Sequence, residues 1–120
     1  EAPGAPGTFR AGQRVVLDVR VRNLGPVAWP ARGDSRGMYQ VNAGNRWLDP
    51  STGRVVNDLD GRTALAADLP PGGEARLALP VTAPKAPGDY VLEVDMIHEG
   101  VTFFREKGSK ALRMNVKVEP

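Results

Sequence analysis

Near the end of this 120-residue chain a proline- and glycine-rich corner, Pro84-Lys85-Ala86-Pro87-Gly88, runs straight into Asp89-Tyr90-Val91-Leu92-Glu93-Val94. The prolines and the glycine break regular structure and force a bend. The residues that follow alternate. Tyr90, Leu92, Val94 and Met96 share one side of a pleated strand. A tyrosine at the mouth of such a strand can reach back and tie its hydroxyl to the loop just left. The chain is therefore built for short strands entered through tight corners. This feature speaks of a fold and names no reaction.

The same period of two recurs along the chain. In Arg14 to Asn23, the residues Val15, Leu17, Val19 and Val21 alternate with Val16, Asp18, Arg20 and Arg22. Asn23-Leu24-Gly25-Pro26 breaks that strand, and Val27 to Pro30 is a short extended piece before a polar loop over Ala31 to Gly37. Met38 to Ala43 and Asn45 to Asp49 read as one strand with a possible bulge at Gly44. Asp49-Pro50-Ser51-Thr52-Gly53 is a turn, and Arg54 to Asn57 returns from it as a hairpin. Asp58 to Gly73 is mostly loop, with one turn of helix expected over Thr63 to Leu69. Ala75, Leu77, Leu79 and Val81 share a face of the next strand, Glu74 to Val81.

After the strand Asp89 to Ile97, a tight turn at His98-Glu99-Gly100 leads into Val101 to Arg105. The last strand turns Leu112, Met114, Val116 and Val118 inward. Those two final segments are either one strand broken by a bulge or two strands. No segment of helical length repeats apolar residues at i, i+3, i+4 and i+7. The expected fold class is all-β, an antiparallel β-sandwich of seven or eight strands.

Composition agrees. Hydrophobic residues make up 41% and charged residues 25%, which suits one folded domain of this length. The 14 glycines and 11 prolines suit many turns rather than long helices. The net charge is only +2, and the densest basic run, Arg105, Lys107, Lys110, Arg113 and Lys117, is interrupted by Glu106. It reads as a solvated sheet face, not a nucleic-acid surface. With no cysteine, thiolate metal sites, thiol redox chemistry and cysteine catalysis are excluded. No apolar run approaches the ~20 residues of a membrane-spanning helix, and no signal peptide is evident. Residues 1–9, Ala/Pro/Gly-rich at the start, read as an interdomain linker and residues 10–120 as the domain, a piece of a longer protein.

Taken together, these elements resemble a bacterial immunoglobulin-like accessory domain. The segments that carry the resemblance are Val19 to Gly25 with Val27-Ala28-Trp29-Pro30, Asn45 to Asp49, Leu69-Pro70-Pro71-Gly72, Ala83 through Tyr90, and Glu99 to Phe104. The resemblance covers residues about 10 to 118. Such domains are appended to glycosyltransferases, other sugar-handling enzymes and surface proteins. The Trp29 region is also similar to the four-tryptophan domain of autophagy receptors. Here only Trp29 and Trp47 are present, with Phe103 and Phe104 where an aromatic pair containing tryptophan is common. The resemblance implies an immunoglobulin-like sandwich serving as a spacer, a docking module or a carbohydrate-binding module.

Candidate sites are few. His98 sits at a turn beside Asp95 and Glu99 with no second histidine, so it reads as an exposed turn residue and not a metal ligand. Asp58-Leu59-Asp60-Gly61 is similar to part of a calcium loop but lacks the terminal glutamate. Ser35, Ser51 and Ser109 have no catalytic motif around them. Asp58 with Asp60, or Glu93 with Asp95, are carboxylate pairs on paper. Glu93 and Asp95 share the outward face of a strand and read as a solvated charge row. Trp47 reads as a core residue and Trp29 as half-buried under a loop. Adjacent Phe103 and Phe104 must point to opposite faces, which turns Phe104 outward.

The reading that results is a non-catalytic module with no cofactor and no metal, a spacer or docking domain of a larger bacterial protein. Its expected contact residues are Trp29, Tyr39, Phe104 and Arg105. Its expected partners are other domains of the parent, another protein or a glycan, without nucleic acid or membrane insertion. It is expected as a monomer or a weak self-associating species, in the cytoplasm or at the cell surface. The alternatives are a carbohydrate-binding module with Trp29, Tyr39 or Phe104 as platforms and, less favoured, a small hydrolase.

Overall fold

The computed structural model describes residues 7–32, 40–58, 60–99, 102–103 and 111–120. Among them lie nine strands and no helix: β1 (Thr8–Arg10), β2 (Arg14–Arg22), β3 (Val41–Leu48), β4 (Val55–Asn57), β5 (Arg62–Ala64), β6 (Glu74–Thr82), β7 (Gly88–His98), β8 (Thr102–Phe103) and β9 (Leu112–Glu119). They form two layers. One is a two-stranded sheet of β2 and β6; the other runs β1-β9-β7-β3-β4, with β5 added to β3 and β8 added to β7. All pairs are antiparallel except β1 with β9. The molecule is an all-β, immunoglobulin-like antiparallel sandwich. The count exceeds the expected seven or eight because four pieces of two or three residues, β1, β4, β5 and β8, add to the edges of the larger sheet.

The alternation in the sequence becomes the core. Leu17 and Val19 of β2 face Leu79 and Leu77 of β6 in register, and all four are buried. In the larger sheet Trp47, Leu92 and Met114 stand side by side across β3, β7 and β9. Each such aliphatic side chain removed from water contributes ~1.5–3 kcal/mol. Trp47 is fully buried and meets Phe9 and Tyr90 edge-to-face at 5.6 and 6.3 Å. The tyrosine corner forms as the sequence predicts: the Tyr90 hydroxyl donates to the Ala86 carbonyl at 2.6 Å.

Several details differ from the sequence reading. The boundary after residue 9 falls inside β1, whose Phe9 is a core residue, so the folded unit already includes Thr8. The expected helical turn over Thr63 to Leu69 is absent. Arg62 to Ala64 pair with Gly44 to Asn42 instead, and Leu69 exchanges both backbone hydrogen bonds with Trp29, at 2.8 and 2.9 Å. Gly44 is not a bulge, since it stays in register with Asp95 and Arg62. A Cβ there would lie 2.6 Å from Ile97 Cδ1, the tip of a side chain that would have to turn aside, and 3.2 Å from the Gly61 carbonyl oxygen. The irregularity lies further on, between Trp47 and Leu48 opposite β4. β8 and β9 line the same edge of β7, at its two ends.

Candidate binding surface

One end of the sandwich is built around a buried asparagine. At the close of β2, Asn23 is fully buried, and each of its polar atoms is used. Its Nδ2 donates to the carbonyls of Val27 and Leu69, both at 2.9 Å. Its Oδ1 accepts the Gly25 amide at 2.9 Å. Its own amide donates to Gly73 at 2.9 Å, and its carbonyl accepts from Gly72 at 2.6 Å. A short amide side chain can hold a turn in this way because it mimics backbone. The latch fixes the loop after β2 against the loop before β6. Nearby, the Ala31 amide donates to Asp68 Oδ1 at 2.8 Å.

The loop held in this way faces its apolar residues outward. Leu24 is 84% exposed and Val27 70% exposed. Pro26, Pro70 and Pro71 are exposed beside them. Trp29 lies behind, half-buried against the core. An ordered loop that keeps large apolar groups in water costs hydration free energy, and covering it by a partner recovers that cost. The sequence reading took Asn23 to Pro26 only as a strand breaker. The available signal was an asparagine two residues before glycine, an arrangement suited to a side-chain turn.

Of the expected contact residues, Trp29 sits at the rim of this end, while Tyr39, Phe104 and Arg105 lie outside the described residues. So do Ser35, Ser109 and the side chain of His98.

The carboxylates have structural partners. Asp60 Oδ2 accepts from Asn45 Nδ2 at 2.9 Å, from the Trp47 indole Nε1 at 3.0 Å and from the Thr82 amide at 2.8 Å. Three donors on one oxygen bind β3 to β6 through the core tryptophan. Asn45 also accepts the Gly61 amide through Oδ1 at 2.7 Å.

The solvated charge row expected at Glu93 and Asp95 is incorrect: both are buried, Glu93 at 1% exposure. Glu93 points away from the apolar core, but arginines cover it. Arg46 Nε donates to its Oε1 at 2.6 Å and Arg113 Nε to its Oε2 at 2.9 Å. One glutamate in β7 thereby ties together β3 and β9. Further along the same face, Glu99 accepts from Asn42 at 3.0 Å and pairs with Arg62 at 3.1 Å. Among the described residues no three His, Cys, Asp or Glu side chains gather as a metal set.

No protein-family model matches the chain, and no curated protein matches its sequence. Solved structures do match its fold. A solution structure of a CARDB domain from Pyrococcus furiosus aligns with TM-score 0.54 and 16% identity, covering 95% of this chain and 87% of that one. A crystal structure of that domain in complex with di-metal ions aligns with TM-score 0.53 and 15% identity, covering 94% and 80%. A β-glucosidase from Listeria innocua, in complex with isofagomine, aligns with TM-score 0.58 and 14% identity. It covers all of this chain, which spans 16% of the enzyme. At these identities the likeness is one of fold.

Proposed function

We propose that this domain is a non-catalytic immunoglobulin-like module that docks a neighbouring domain of a larger protein through its Leu24–Val27 end. The observation that carries the reading is the Asn23 latch, which holds Leu24 and Val27 exposed on an ordered loop. A spacer alone would have no need of apolar tips at its end. The roles of Asp60 and Glu93 also favour a scaffold, since one member of each candidate carboxylate pair serves to join strands. The Listeria enzyme supports the modular reading, because the matching region is a small part of a much longer chain. The di-metal ions of the Pyrococcus domain are not carried over, given the lack of a gathered ligand set among the described residues.

The test compares amide chemical shifts of the isolated domain with those of the same segment labelled within its full-length parent. Docking gives shifts over residues 23–29 and 68–73, abolished by Leu24→Asp with Val27→Asp. Shifts confined to the chain junctions would leave a spacer. Shifts at Trp29 on glycan titration would instead favour the carbohydrate-binding reading.

A further inference from the structure

Of the described strands, the first and the last form the one parallel pair. Thr8, Phe9 and Arg10 of β1 lie beside Lys117, Val118 and Glu119 of β9. The Lys117 amide donates to the Gly7 carbonyl at 3.0 Å, and the Ala11 amide donates to the Glu119 carbonyl at 2.7 Å. Alternate residues of a strand bond to the same neighbour, so Phe9, midway between Gly7 and Ala11, turns its own amide and carbonyl to β9. Its side chain enters the core, 1% exposed and edge-to-face on Trp47.

Direction decides what tension does to this pair. A pull on the N-terminal side draws β1 back from Arg10 towards Thr8. A pull on the C-terminal side draws β9 onward from Lys117 towards Glu119. Because the strands are parallel, the two pulls oppose each other along the strand axis. The bonds between β1 and β9 are then sheared together and not opened in turn. Sliding also drags Phe9 from its place against Trp47, which exposes a buried ring.

The surroundings hold both strands in place. β9 is paired with β7 from Leu112 to Val118. The turn after β1 is tied at both sides: the Gln13 amide donates to the Arg10 carbonyl at 3.0 Å, and the Arg10 amide to Gln13 Oε1 at 2.8 Å. That turn is bonded in addition to the loop after β6. The Gly12 amide donates to the Pro84 carbonyl at 3.2 Å, and the Ala83 amide to the Gln13 carbonyl at 2.8 Å. The Tyr90 hydroxyl closes the same loop at Ala86.

We propose that this domain bears tension along its chain, with β1 sheared against β9 as the clamp that resists it. This function is separate from docking at the Leu24–Val27 end.

Single-molecule force spectroscopy tests it. Forced unfolding reports the unfolding barrier and not equilibrium stability, which separates a clamp from a merely stable domain. The chain has no cysteine, so one introduced thiol serves as an attachment point. One geometry pulls from the two ends of the chain. The other pulls from Arg14→Cys, an exposed position at the start of β2, and from the C-terminal end. That path leaves β1 unloaded. Its two attachment points lie at one end of the sandwich, since Ala11 bonds to Glu119, and the β2–β6 and β7–β9 ladders open bond by bond. The end-to-end geometry is expected to withstand about twice the force or more, because several bonds must yield at once.

Ala11→Pro removes the amide that bonds to Glu119. Gly12 has φ 73°, and Gln13 closes the turn on Arg10; proline suits the position of Ala11 in such a turn. The variant is expected to lower the end-to-end force and to leave the Arg14→Cys geometry unchanged. Denaturant unfolding confirms that it is folded. Equal forces in the two geometries overturn the proposal. So does a folded Ala11→Pro variant that keeps the full end-to-end force, or one that weakens both geometries alike. Either result leaves the docking reading standing.

Discussion

Asn23, Asp60 and Tyr90 show how single polar side chains set the shape of a small sandwich. Buried donors and acceptors are costly when unmet and contribute modestly when met, so their removal is felt through the partners left behind. Asn23→Ala orphans two carbonyls and an amide and is expected to cost about 2–3 kcal/mol in urea unfolding. Asn23→Asp is expected to cost more at neutral pH, because a carboxylate cannot donate to the Val27 and Leu69 carbonyls. Trp47→Phe and Asp60→Ala break the same indole–carboxylate bond. Their double-mutant cycle is expected to show a coupling of about 1 kcal/mol or more; additive costs would mean that the bond carries no net stability. Of these roles the sequence revealed Tyr90, because its partner lies in the adjoining corner. Asp60 was hidden because Trp47 and Thr82 reach it only after β3 and β6 have packed together.

At the scale of elements, the outer face of the larger sheet is held by charge. Glu93 in β7 is gripped from β3 by Arg46 and from β9 by Arg113. The side chains of Arg46 and Arg113 are 18% and 62% exposed, so their contributions differ. Arg113→Ala is expected to cost at most about 1 kcal/mol, and Arg46→Ala more. Glu93→Ala is expected to exceed both, at about 3 kcal/mol, since it strands the poorly hydrated Arg46. Denaturant midpoints of the three variants check the order.

The strands themselves were legible in the sequence wherever one face is apolar and the other polar, as in β2 and β6. Glu93 was misread for a physical reason: alternation tells which face a residue takes, not whether that face is wet. The helical turn expected over Thr63 to Leu69 does not form: the segment holds the end of β5 and two buried leucines, Leu65 and Leu69, whose four-residue spacing a helix would share. The first strand was missed because three residues offer too little alternation to register beside a proline-rich start.

The whole molecule is two sheets closed by pairings between distant parts of the chain, β1 with β9 above all. Such a topology must close long loops before any contact rewards them, and folding on the millisecond-to-second scale is expected in stopped-flow experiments. Immunoglobulin-like architecture was readable from the tyrosine corner, the core tryptophan and the even spacing of strands. The binding surface was not, because exposure of Leu24 and Val27 follows from a latch between loops 46 residues apart.

Native-state hydrogen exchange along β2 tests this architecture most directly. The amides of Val15, Leu17, Val19 and Val21, bonded to β6, should exchange slowly. Those of Val16 and Asp18, on the side of β2 where no described strand pairs, should exchange faster. No protection of the β6-bonded amides, or protection no greater than at Val16 and Asp18, would contradict the register of β2 on β6.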